Sequence, residues 1–191
     1  VGWHFDPAHG IELSKEALSM IAQGFPQEKL HIACFNTVGY LLRPKHYSAK
    51  GIRHMLKSVA AGGGTIHSSG AAVFRANGVD VPGDADLIVF VVGDEAGESG
   101  EDFARNIRGF GYNPSAFAHI VNVANGWARG HTVRRASEVL GVSYTEVEIG
   151  QLQDVYQVQR TLKGILEAQP FRGSESLIEK VLRAELLKKP Y

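Results

Sequence analysis

The chain has almost no cysteine, no net charge and no long apolar run. Its one cysteine, Cys34, excludes a disulfide within the chain. The thiol sits in the apolar stretch 30–35, which reads as a buried structural position in a protein of a reducing compartment. Lysine plus arginine equals aspartate plus glutamate, 20 against 20, so no global field draws the molecule toward nucleic acid or an anionic membrane, and any such binding has to be local. Nothing approaches the roughly 18 consecutive apolar residues of a membrane span, and no charged-then-apolar leader opens the sequence. A cytoplasmic protein without membrane contact is the expectation. Internal repeats and low-complexity segments are absent as well. Catalytic signatures are equally scarce: the glycine turn at 61–65 lacks the lysine of a phosphate-binding loop, and Ser68 and Ser69 lack the context of a nucleophile elbow. The chain is therefore read as a non-enzyme, with a metal-dependent phosphoester hydrolase using Asp6 and Asp94 as the alternative.

What is present is enough for one core. At 191 residues and 44% hydrophobic, the chain fits a single α/β domain. Leu13, Ala17, Leu18, Ile21 and Ala22 recur at helical spacing over 11–25, where Gly24 and Pro26 stop the helix. Strands are expected at 30–35 and 39–42, paired as a hairpin. Ser48 caps a helix over 48–60 with Ile52, Met55, Leu56 and Val59 as its apolar stripe. A helix over 67–75, a strand ending at Asp94, a helix over 101–109, a strand over 116–123, a helix over 132–140 closed by Gly141 and a strand over 142–149 follow. Helices over 155–168 and 174–187 end the chain. Strands alternating with helices give a Rossmann-like, doubly wound, mostly parallel sheet with helices on both faces. Residues 1–168 form this domain, and 169–191 a helical extension packed on it.

Two stretches carry the chemistry. The glycine turn at 61–65 ends in the hydroxyl of Thr65, and the unbroken apolar run 87–92 leads into Asp94 and Glu95. Such a run is a strand buried on both faces, and ligands of open α/β sheets bind beyond the carboxyl ends of the strands. Thr65 is either a ligand or the N-cap of the helix after it, and Asp94 either a site residue or a turn former. His9, His67 and Glu95 border the same crevice and are the expected partner contacts, with His67 read as an exposed first-turn residue. Glu95 also reads, with Glu98, Glu101 and Asp102, as part of a solvated helix start favoured by the macrodipole. His4, Asp6 and His9 suit a transition metal in type but not in spacing. Lys50, Arg53, His54 and Lys57 form a basic helix face read as solvated, and Arg129, His131, Arg134 and Arg135 a second basic cluster beside Trp127. An RNA contact would have to use one of these.

With HIACFNT at 31–37, the stretch from Ala60 to Ser69 that holds the glycine turn, and DLIVFVVGDE at 86–95 in this order, the chain resembles the von Willebrand factor A-type domain, in pattern most like that of the Ro-type RNA-binding proteins. The resemblance implies a Mg²⁺ at the top of the sheet, held by three loops, and recognition of a protein partner whose acidic side chain completes the metal shell. By resemblance Thr65 belongs to the second loop and Asp94 to the third. The first loop would be Asp6 to Gly10 after a strand at 1–5, but Ala8 and Gly10 stand where the family has serines. A degenerate metal site is one reading; an Asp-x-Ser-x-Ser upstream of Val1 is the other.

Overall fold

A computed structural model describes residues 7–60, 62, 64–82, 86–93, 97–121, 131–148, 160 and 164. The first helix, α1, spans Pro7–Ile21 and continues into a short 3-10 turn at Ala22–Gly24. Pro7 therefore begins a helix rather than standing in a ligand loop, because proline's missing N–H costs nothing in the first helical turn and its fixed φ suits that position. Pro26 stops the segment as expected.

Strands β1 (Ile32–Phe35) and β2 (Gly39–Leu42) form an antiparallel hairpin that pairs Cys34 with Tyr40 and Phe35 with Gly39. The Asn36 side chain accepts from Val38 N at 2.9 Å and shapes the turn. Cys34 is half-buried rather than enclosed, and burial pushes its thiol pKa up. Helix α2 (Ala49–Leu56) starts at Ser48, whose hydroxyl accepts from Gly51 N at 3.1 Å. It stops four residues short of the expected end, in a turn where Val59 N bonds Leu56 O. Helix α3 (Ser68–Ala76) lies against β2 so closely that a Cβ on Gly39 would sit 2.0 Å from Ser69 O.

The second half of the described chain alternates strictly: β3 (Ile88–Gly93), α4 (Gly100–Gly109), β4 (Ala116–Val121), α5 (Thr132–Leu140) and β5 (Ser143–Glu148). The three strands are parallel in the order β3-β4-β5, with Val91 beside His119 and His119 beside Glu146. Every residue of β4 is buried, as the centre of a sheet covered on both faces requires. Strand alternation divides the core. Ala118, Ile120 and Val147 meet Ala17 and Ile21 of α1, while Val91 and Phe117 meet Phe103, Ile107, Val133 and Ala136 of α4 and α5. A third cluster joins Ile32 to Ile52 and Leu56 of α2. Helices thus cover both faces of a parallel sheet, an α/β arrangement compatible with a Rossmann-like fold. No described helix is long and apolar enough to cross a membrane. The expected strand at 1–5 and the helix at 174–187 lie outside the described residues; Arg160 and Gly164, within the expected helix at 155–168, are helical.

Candidate functional site

The carboxyl ends of β3 and β4 meet the amino ends of α3, α4 and α5, and polar side chains gather there. Ile66 N donates to Asn36 O at 2.9 Å, which ties the turn carrying the half-buried Thr65 to the end of β1. Gly97 follows β3 at φ +118°, and a Cβ there would lie 3.0 Å from Thr65 O. Only glycine takes that conformation at low cost, so the segment after β3 runs directly against the Thr65 backbone.

Glu98 binds these parts together. Its carboxylate accepts from Ser68 N at 2.9 Å, from Ser68 Oγ at 2.5 Å and from Asn106 Nδ2 at 3.1 Å. Its carbonyl accepts from Thr132 Oγ1 at 2.7 Å. One residue therefore joins α3, α4 and α5. The expectation of a solvated acid at its own helix start is corrected: the carboxylate caps a different helix, α3, where unpaired N–H groups and the macrodipole favour a negative charge. Thr65 is not that cap either, since the N-cap position is His67 and its side chain makes no capping bond. The true start of α4 is capped by Ser99, which accepts from Asp102 N at 3.1 Å.

His67 is also corrected. Its ring is 3% exposed, packed between Phe35 and Phe103 at centroid distances of 5.3 and 5.4 Å. Neither ring nitrogen has a hydrogen-bond partner. Burial first, and the neighbouring His119 second, lower its pKa to about 4, so the ring is neutral at physiological pH. A side chain so placed belongs to the floor of the site. His119, fully buried on β4, has Nε2 at 3.2 Å from Gly93 O; because a carbonyl only accepts, Nε2 carries the proton in this contact.

Among the six expected site residues, Thr65 and His67 come together here. Asp6, Asp94 and Glu95 lie outside the described residues, and of His9 the structure describes the helical backbone in the first turn of α1. No group of three His, Cys, Asp or Glu among the described residues could hold a metal. Thr65 contributes one hydroxyl and Glu98 is already engaged, so the described donors alone do not fit a cation. In the second basic cluster Arg135 pairs with Glu101 at 2.6 Å and Glu138 at 3.0 Å, Arg134 reaches Glu146 at 3.4 Å and lies over the Tyr144 ring, and His131 is exposed. Arg129 and Trp127 fall outside the described residues.

Sequence reading missed Glu98, Ser68 and Asn106 as members of one network, and His119 as the buried neighbour of His67. No local signal marked the network, because Thr65 stood as a candidate cap for α3 and the acceptor that serves Ser68 N lies 30 residues away. The chain matches no protein-family model, no curated protein and no solved structure.

Proposed function

We propose that this chain is a non-catalytic protein-recognition domain of the von Willebrand A type, with a doubly wound sheet whose carboxyl end meets the partner. The observation that carries the reading is the joining of the Thr65 turn to the segment after β3, through Gly97 against Thr65 and Glu98 on Ser68. Two segments, one between α2 and α3 and one after β3, are held in one fixed relation, which is what a preorganised recognition surface requires. Asp6, Asp94 and Glu95 are the acidic residues expected to complete the surface, with His9 at its border.

In this reading the Mg²⁺ site is degenerate. Ala8 and Gly10 stand in place of hydroxyl ligands, and both fall within the first turn of α1, so recognition proceeds through protein groups. Replacing Thr65 with a photo-crosslinking residue in the host cell tests this. A discrete cross-linked protein is expected from Thr65 and not from a control label at the exposed Arg105. Equal labelling from both positions, or none from Thr65, overturns the reading. Calorimetric titration with Mg²⁺ and Mn²⁺ tests the degenerate form: heat that disappears in Asp94→Ala would restore the metal.

A further inference from the structure

From residue 29 to residue 79 the sequence holds no aspartate or glutamate. The structure turns that composition into a surface. Arg43, Lys45, Lys50 and Lys57 are all exposed, and none of them forms an ion pair among the described residues, whereas Arg53 is held by Glu16 at 2.9 Å and Arg75 by Asp80 at 2.7 Å. On the α4 and α5 side, Arg105, Arg134 and Arg135 are likewise paired with carboxylates. Among the described residues the hairpin and α2 therefore carry a group of cations without a carboxylate partner, while Arg108 on α4 bonds the Leu140 carbonyl at 3.5 Å.

The hairpin side has shape as well as charge. A Cβ on Gly51 would lie 2.2 Å from His46 O, so the segment bearing Arg43 and Lys45 is pressed onto α2, which bears Lys50. Tyr40 shares a strand face with Leu42 by alternation, and Leu42 packs on the cluster of Ile52 and Leu56, which puts Tyr40 on the α2 side of the hairpin. Val38 and Tyr40 are 55% and 54% exposed, the two most exposed large apolar residues described. Strand β2 pairs with β1 along one edge, and no described strand pairs with the other. An uncovered edge is a template for another strand.

We propose that an extended acidic segment of a protein partner adds along the edge of β2 that no described strand pairs, over Val38 and Tyr40, with its carboxylates on Arg43, Lys45, Lys50 and Lys57. Backbone pairing supplies affinity and the side chains supply selectivity, the usual division in strand addition. A nucleic acid would use the cations and could accept from backbone amides, but it would leave the β2 carbonyls unpaired and gain nothing from an aliphatic Val38. The proposal rests on the protein-recognition reading and names its partner's chemistry. The hairpin turn stands beside that surface: a Cβ on Gly64 would lie 3.4 Å from the Thr37 methyl.

The test is fluorescence anisotropy of the full chain with a labelled peptide of alternating aspartate and valine, a peptide of alternating aspartate and proline with the same charge, and a labelled oligouridylate. The first should bind, with protection of the β2 amides from hydrogen exchange. The proline peptide, which lacks half the backbone donors, should bind about tenfold more weakly. Lys45→Gln with Lys50→Gln should weaken binding about fivefold, and Tyr40→Ser should weaken it without altering its salt dependence. Equal binding of the two peptides, tighter binding of the oligouridylate, or indifference to these substitutions overturns the proposal. Cross-linking at Thr65 does not depend on any of these outcomes, so the two readings fail separately.

Discussion

His67 and Glu98 show how single residues set the properties of the site. An imidazole in the unfolded chain titrates near its ordinary 6.5, whereas the buried ring of His67 titrates at about 4. The unfolded state therefore binds more protons between these values. Stability from this residue is complete above about pH 6.5, falls as pH drops toward 4 and levels below it, a loss of roughly 3 kcal/mol. Urea unfolding at pH 7.5 and 4.5 should show that loss, and His67→Phe, which keeps the packing on Phe35 and Phe103 and removes two unpaired nitrogens, should flatten it. An equal pH dependence in the variant would assign the effect elsewhere. Glu98→Ala leaves Ser68 N and Ser68 Oγ without their acceptor and Asn106 Nδ2 with Ser68 Oγ alone, and should cost about 3 kcal/mol. In a double-mutant cycle with Asn106→Ala the losses should be less than additive, because the two residues share one network; a cost below about 0.5 kcal/mol would mean the carboxylate is readily replaced by water.

At the level of elements, local chemistry decided what could be read in advance. The hairpin strands Ile32–Phe35 and Gly39–Leu42, the cap at Ser48 and the span Thr132–Leu140 closed by Gly141 are where residue pattern put them. Thr132, however, expected as the N-cap of its helix, is its first helical residue and donates its hydroxyl to Glu98 O instead. The start of α1 was hidden because Pro7 and Gly10 look like loop residues, although helices accept both near their beginning. Close approaches between elements were also invisible, since nothing local marks Gly39 as the point where α3 touches β2. That contact gives a paired prediction. Gly39→Ala places a methyl 2.0 Å from a backbone oxygen and should cost about 3 kcal/mol by forcing α3 from the hairpin. Gly109→Ala, where a Cβ meets nothing within 4 Å, should stabilise α4 by about 0.5–1 kcal/mol. Thermal melts of the two variants should shift in opposite directions, and a shared direction would break the argument.

At the scale of the whole molecule, the candidate site was legible as a place but not as a network. An apolar strand followed by carboxylates and a glycine turn with a hydroxyl located the carboxyl end of the sheet. That strand, expected to be buried on both faces, is half-buried apart from Val91 and ends the described order β3-β4-β5. The bonds that organise the site run from Glu98 to Ser68, 30 residues away, and from Thr132 to Glu98, 34 residues away, and such long-range partners leave no periodic trace. The same distance dependence bears on how the domain unfolds. Helix α1 touches both ends of the molecule: Ala17 and Ile21 pack on the parallel sheet, and Leu18 joins Ala22 on the cluster of Ile32, Ile52 and Leu56. The hairpin half and the sheet half are therefore expected to melt as one unit. Ile52 and Val133 are fully buried in different clusters. Ile52→Val should cost about 1 kcal/mol and Val133→Ala about 2 kcal/mol, and the double variant should show their sum to within about 0.5 kcal/mol. Urea titrations followed by circular dichroism and by hydrogen exchange of the β4 amides should share one midpoint in all three variants. If Ile52→Val moved an early transition and left the β4 amides unchanged, α1 would not couple the two halves.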